Sequence, residues 1–216
     1  MRASVPTVQD GPGTAVPPGW RQEVERILIT EEQIARRIRG IARDIMRDFA
    51  GREMVVVSLL NGTVMFLADL IRNLELPLRL DFMGVSSYAA GTESGDLIFT
   101  KELRLNVRGR YVLLVDDILD TGKTLVRVLA KIRALKPRRI KTCVLLNKAA
   151  RRVEAVEADY VGFDIPDFFV VGYGLDFAER YRNLPFVGVL HPHVYADADH
   201  GAKSAPTRRA HPPRSD

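Results

Sequence analysis

Cysteine, histidine and tryptophan are all scarce: one Cys, four His and one Trp stand in 216 residues. A lone Cys143 allows no internal disulfide, which fits a reducing compartment. Its place in the apolar run Thr142-Cys143-Val144-Leu145-Leu146 reads as a small buried hydrophobe. His191 and His193 alternate as they would along an edge strand, but no third ligand stands near them, so no metal-ligand spacing results. No Ser/His/Asp or Cys/His arrangement for nucleophilic catalysis is visible. No uncharged run approaches the ~18 apolar residues that a membrane-spanning helix needs. The first residues hold no apolar signal core. A cytoplasmic protein, neither membrane-inserted nor secreted, is therefore expected.

Neither sign of charge dominates. The 32 basic and 27 acidic residues are largely interspersed and leave a net +5. That is a mild lean towards anionic ligands and a weak case for nucleic acid. A hydrophobic content of 46% excludes a chain disordered throughout, and 216 residues suit one α/β domain. Residues 1–21 are rich in Pro, Gly, Thr and Val without period and read as a flexible tail. Residues 197–216, polar and proline-bearing with Arg208, Arg209 and Arg214, read as a second one. The folded domain is placed at residues 22–196.

The stretch with most chemistry is Tyr111-Val-Leu-Leu-Val-Asp-Asp-Ile-Leu-Asp-Thr-Gly-Lys-Thr124. Its apolar start predicts a strand buried on both faces that ends at the acidic pair Asp116 and Asp117. Asp120 follows, then the small-residue turn Thr121-Gly122-Lys123-Thr124. Leu125, Val128, Leu129, Ile132 and Leu135 continue with helical spacing. Ligands of open α/β sheets bind at such a strand end, and a helix N-terminus favours a phosphate. A nucleoside-triphosphate P-loop also closes on Gly-Lys-Thr, but it needs a glycine where Asp117 stands. Carboxylates suit hydroxyls or a cation, so a phosphate cradle beside a sugar diol is the better reading.

Other segments are consistent with a mainly parallel, twisted, doubly wound α/β sheet flanked by helices. Thr30-Glu31-Glu32-Gln33 forms a capping box before the helical face Ile34, Ile38, Ile41 and Ile45. Met54 to Leu60 is a buried strand that breaks at Asn61-Gly62-Thr63 before a helical run from Val64 to Leu74. Leu78 to Val85 and Leu97 to Leu105 are strands; between them, Ser86 to Asp96 has the composition of a loop that can close as a lid. Lys141 to Leu146 is a strand ending at Asn147-Lys148, and Tyr160 to Phe163 and Phe168 to Tyr173 are two more. Strand ends on one edge would gather Asn61, Asp116, Asp120, Lys148 and Asp176.

Two acids followed by a small-residue phosphate turn resemble the signature of purine and pyrimidine phosphoribosyltransferases. From about Ile27 to Tyr195 the chain is similar to a bacterial hypoxanthine-guanine phosphoribosyltransferase. The matching stretches include Asn61 to Phe66, Leu80 to Met83 with Ser86-Ser87-Tyr88, Val115 to Thr124, Asp159 to Tyr173 and Tyr181 to Pro185. Phe169-Val170-Val171-Gly172-Tyr173 with Asp176 is the part specific to 6-oxopurine enzymes. The resemblance implies the type I phosphoribosyltransferase fold, with a small hood formed by terminal segments.

It also implies roles. Asp116 and Asp117 would hold ribose hydroxyls, and with Asp176 they would serve a Mg²⁺ cofactor. Asp120 would sit by purine N7 and exchange its proton. Thr121, Gly122, Lys123 and Thr124 would wrap the 5′-phosphate of phosphoribosyl pyrophosphate, and Asn61, Gly62 and Arg182 would face its pyrophosphate. Lys148 would donate to the purine 6-oxygen, Phe169 would stack on the base, and Val170 would read its other edge. Ser87 and Tyr88 would belong to the lid. The family usually has lysine where this chain has Asn61. A homodimer or homotetramer is implied, with small-molecule substrates and no nucleic-acid partner. The runner-up is a regulator of the same fold that senses the sugar pyrophosphate and binds nucleic acid. Such a sensor has no need of Asp120 and Lys148.

Overall fold

Two sheets share the chain in the computed structural model, which describes residues 4–8, 15–87 and 97–196. The smaller sheet joins β1 (Val24–Ile29), β8 (Val170–Val171) and β9 (Val187–Leu190), all antiparallel, in the order β1-β9-β8. The larger contains β2 (Met54–Leu60), β3 (Leu78–Ser87), β4 (Leu97–Lys101), β5 (Tyr111–Leu119), β6 (Arg139–Asn147) and β7 (Tyr160–Asp164). Its order is β4-β3-β2-β5-β6-β7, and only the β3–β4 pair is antiparallel. This is the mainly parallel α/β sheet that the alternating segments imply, and the small sheet is its hood.

Strand alternation explains the layers. Met54 and Val56 of β2, with Leu113 and Val115 of β5, join one core cluster. Val55, Val57 and Leu59, with Val112 and Leu114, join the other. Successive side chains point to opposite faces, so unbroken apolar strands need cover on both. α1 (Glu31–Asp48) and α2 (Val64–Arg72) cover the first face through Ile34, Ile38, Ile41, Ile45, Phe66 and Leu70. α3 (Lys123–Ala134) covers the second through Leu125, Val128, Leu129 and Ile132. The capping box at Thr30 is formed: the Gln33 N–H donates to the Thr30 hydroxyl at 3.3 Å, and the Thr30 N–H donates to Gln33 Oε1 at 2.8 Å.

Several expectations change. β5 does not stop at Asp116; it runs through both acids to Leu119, because Ile118 and Leu119 still pair with Leu146 and Asn147. β4 ends at Lys101 rather than Leu105, and the strand expected from Phe168 to Tyr173 shrinks to Val170–Val171. There the backbone turns at Gly172, φ +95°, and Tyr173, φ +52°, which no strand accommodates. His193 is not on an edge strand but in α4 (Pro192–Ala196), its ring stacked 5.3 Å from that of His191.

Part of the expected N-terminal tail is docked. Val8 donates to the Asp164 carbonyl at 2.9 Å and Asp164 returns a bond to the Pro6 carbonyl at 3.1 Å, extending the sheet beside β7. Val16 is buried with the hood cluster, and Trp20 meets the Tyr181 ring edge-on at 5.9 Å. The expected C-terminal tail lies outside the described residues. No helix among the described residues is long and apolar enough to cross a membrane.

Candidate active site

Register alone brings the key loops together. β5 and β6 pair in parallel with Leu119 opposite Asn147, so Asp120 and Lys148 each follow the last residue of an adjacent strand. β2 lies on the other side of β5, and its end delivers the Asn61-Gly62-Thr63 turn. A cavity of about 320 Å³ opens at this edge. Gly62, Asp116, Asp117, Asp120, Thr121, Gly122 and Thr124 all line it. Lys123 is exposed at the first position of α3, and Asn61 is exposed beside Gly62.

The phosphate-type turn is built as its composition requires. Gly122 has φ +88° at the cap of α3, a conformation that suits glycine. The Lys123 N–H points to the Thr121 hydroxyl at 3.5 Å, and the Thr121 carbonyl accepts from Val153 and Glu154 at 3.0 and 3.1 Å. Gly62 is needed for space: a Cβ there would stand 1.7 Å from Asp117 Oδ2. Gly174, φ +100°, is pressed equally hard, since its Cβ would stand 2.0 Å from the Gly62 carbonyl oxygen. That contact seats the hood loop carrying Asp176 against the end of β2.

Asp116 and Asp117 are half-buried neighbours, and the Asp117 N–H donates to Asp116 Oδ1 at 3.0 Å. Burial, and then the charge of Asp117, push the Asp116 carboxyl well above the usual carboxylate range. Burial also raises Asp117, while hydrogen bonds with Asp116 and Ile118 and the nearby Arg182 charge pull it back. A carboxyl raised on folding stabilises the fold while protonated and loses that contribution as pH rises through its folded value. Ionising these carboxyls within the fold is therefore costly, and that cost opposes folding at neutral pH. Asp116→Asn should raise the thermal midpoint of ligand-free protein at neutral pH by a few degrees, about 1 kcal/mol. The gain should vanish in acid, where the wild-type carboxyl is already neutral. Thermal melts across pH test this, and a gain independent of pH would show that the charge is not the cause.

Asp120 Oδ1 is shielded from solvent and has no hydrogen-bond partner among the described residues; the Arg151 Nε approaches to 3.4 Å. Arg151 also reaches Asp167 at 3.9 Å, and Asp167 stands 3.5 Å from the buried Lys148 Nζ. A chain of alternating charge thus links Asp120 to Lys148. On the hood, Arg182 pairs with Asp176 and with Glu179, both at 2.9 Å, and donates to the Gly174 carbonyl. Phe169 is 39% exposed, and Val170 is buried in β8. Ser87 is the last residue of β3, and Tyr88 lies outside the described residues.

One organising residue went unread. The Arg152 guanidinium donates to the carbonyls of Asp120 at 2.8 Å, Leu119 at 3.0 Å and Val156 at 2.6 Å, and to Asn147 Oδ1 at 2.5 Å. It ties the acidic loop to the end of β6. Only the run Arg151-Arg152 after Lys148 hinted at it, and a solvated pair of arginines would look the same.

Paired acids on a central parallel strand, a glycine-turned helix start and a hood facing both define the class, a phosphoribosyltransferase. Comparison agrees: the phosphoribosyl transferase domain model matches residues 25–178. The hypoxanthine-guanine phosphoribosyltransferase of Bacillus subtilis is 42% identical over 176 residues, covering 81% of this chain and 98% of that one. The bifunctional protein TilS/HprT of Listeria innocua is 44% identical over 176 residues, of which this chain spans only 27% of its length. A solved hypoxanthine phosphoribosyltransferase from Staphylococcus aureus superposes with a TM-score of 0.79 at 40% identity, covering 84% of this chain and 99% of that one. A hypoxanthine-guanine phosphoribosyltransferase from Bacillus anthracis gives 0.73 at 41% identity, covering 78% and 99%. The chain belongs to the phosphoribosyltransferase family, on its hypoxanthine-guanine branch.

Proposed function

We propose that this protein is a purine-salvage enzyme that transfers the phosphoribosyl group of phosphoribosyl pyrophosphate to hypoxanthine or guanine. The products are IMP or GMP and pyrophosphate. The observation that supports this reading is the pairing of Leu119 with Asn147, after which Asp120 and Lys148 leave adjacent strands. A regulator that only senses the sugar pyrophosphate needs neither side chain there.

In this reaction the bond from C1′ to the pyrophosphate oxygen breaks and a bond from C1′ to the purine N9 forms. Positive character develops on the sugar between them. Asp116 and Asp117, acceptor-only when ionised, hold the 2′ and 3′ hydroxyls, and the turn from Thr121 to Thr124 wraps the 5′-phosphate. Asp120 sits by N7 and takes up the proton that the base gives away. Lys148 donates to the 6-oxygen, a choice of donor that rejects the amine of adenine. Phe169 stacks on the base and the backbone of Val170 meets its other edge. Arg182, with the Gly62 turn, neutralises the departing pyrophosphate, and the neutral amide of Asn61 adds only a weak donor there. Ser87 and Tyr88 belong to the lid that excludes water.

The donor set fits Mg²⁺. Magnesium takes one or two protein carboxylates and completes its shell with water and substrate oxygens. No cluster of three or more potential ligands occurs among the described residues, so at most two protein side chains would meet the ion. Asp176 would hold the ion directly or through water, and Asp116 and Asp117 would serve it from the ribose hydroxyls they hold, so that no three carboxylates need meet at one ion. When bound it supplies charge neutralisation to the pyrophosphate. The enzyme is taken to be cytoplasmic and to assemble as a homodimer or homotetramer, with small molecules as its only other partners. The folded unit is residues 22–196 together with the docked parts of the first 21 residues, and neither terminal segment is given a step in the chemistry.

The direct test is incubation with phosphoribosyl pyrophosphate, Mg²⁺ and each purine base in turn. Nucleotide should form with hypoxanthine or guanine and not with adenine. Failure with every base, beside retained binding of the sugar pyrophosphate, would favour the regulator. Lys148→Ala should blunt the preference for 6-oxopurines over adenine roughly tenfold, since a charged hydrogen bond is worth ~1.5–3 kcal/mol. Binding of the sugar pyrophosphate should persist. An unchanged base preference would return Lys148 to a structural role beside Asp167.

A further inference from the structure

We propose that Tyr195 is a positioning residue for the purine, fixing the plane of the Phe169 ring on which the base stacks. The inference rests on the reading above that Phe169 forms a wall of the base seat. Phe169 keeps 39% of its surface exposed, yet its ring is not left to rotate. Tyr195 lies parallel to it, centroids 4.7 Å apart and planes at 14°. Phe177 meets it at right angles, 5.4 Å away. The backbone is pinned as well, because the Leu190 N–H donates to the Phe169 carbonyl at 3.0 Å and Val170 pairs with Val189 in the hood sheet.

Tyr195 is itself anchored. It stands in the short α4, whose first turn is closed by the Val194 N–H donating to the His191 carbonyl at 3.0 Å. Tyr195 and Phe177 both pack against the hood's apolar cluster. Asp167, two residues before Phe169, stands 3.5 Å from Lys148 Nζ.

The physical argument is pre-organisation. A solitary, exposed phenylalanine surrenders rotamer freedom when a base stacks on it, and that loss subtracts from affinity. A ring already held between Tyr195 and Phe177 has little left to lose. Offset stacking pairs of this kind are worth roughly threefold to tenfold in affinity. The opposite arrangement, with Tyr195 occupying the face that the purine needs, predicts the reverse effect.

Steady-state kinetics of the full chain separate these. Tyr195→Ala should raise the KM for hypoxanthine about threefold to tenfold and leave the KM for phosphoribosyl pyrophosphate within about twofold. Tyr195→Phe keeps the ring and should behave as wild type. Tyr195→Leu keeps apolar bulk without a ring and should stay impaired towards the base; if the alanine variant fails to fold, this variant decides. An active wild type whose base KM is unchanged or lowered in the Ala and Leu variants overturns the inference alone. A wild type that transfers no phosphoribosyl group to any base overturns the functional reading and this inference with it.

Discussion

Asp120→Ala should cut kcat by about 10²–10⁴-fold, the range typical of a single general acid–base group. Binding of phosphoribosyl pyrophosphate should change far less. The Asp120 side chain follows directly on β5, and its Oδ1 is shielded from water without a hydrogen bond among the described residues. The Arg151 guanidinium faces that oxygen at 3.4 Å but makes no hydrogen bond to it, so the acceptor stays under-satisfied until a donor arrives. In the proposed reaction the donor is the N–H of the incoming purine, so the unmet demand is met by substrate. Asp120→Asn preserves the shape, removes the basicity and should be nearly as slow. Turnover measured beside calorimetric binding of the sugar pyrophosphate decides the matter. Either variant turning over at the wild-type rate would exclude Asp120 from the proton transfer.

The second large effect is expected at Arg152, which touches no proposed substrate atom. Arg152→Ala strips a donor from the carbonyls of Leu119, Asp120 and Val156 and from Asn147 Oδ1. Water can reach part of the site, so the loss should be on the order of 2–4 kcal/mol, short of a simple sum of charged hydrogen bonds. Because Gly122 lies against the Arg152 side chain, the phosphate turn should loosen too. The expected signature is a lower midpoint in denaturant together with a weakened affinity for phosphoribosyl pyrophosphate. Arg152→Lys should rescue little, since one ammonium cannot span acceptors arranged around a planar fork. A lysine variant with wild-type stability and affinity would show that charge, and not geometry, is what the loop requires.

Much of the site was legible because its chemistry is local. A buried strand, two acids, a third acid and a glycine turn follow one another within Tyr111 to Thr124, and each signal depends only on near neighbours in the chain. The same holds for the Thr30 capping box and for the helical faces of α1 and α3. Unbroken apolar strands required cover on both faces, so the parallel layered sheet was legible as well. The sequence also excluded the triphosphate P-loop, through Asp117 alone.

What remained was decided by the tertiary structure, and in each case the deciding partner is distant in sequence. β8 is two residues long and has no period to read; it exists because β9 supplies the pairing. β5 continues past its acids because β6 continues beside it. Residues 4–8, Ser-Val-Pro-Thr-Val, are too short to show a period, yet Pro6 and Val8 find the open edge beyond β7 and satisfy backbone groups there. Arg152 reaches back 32 residues to the Asp120 carbonyl. Tyr195 meets Phe169 only after the chain has crossed the hood. Side-chain bonds to remote backbone and ring contacts across a sheet impose no spacing on the chain. Local sequence therefore determined which groups do the chemistry, and packing between distant segments determined what holds them in place.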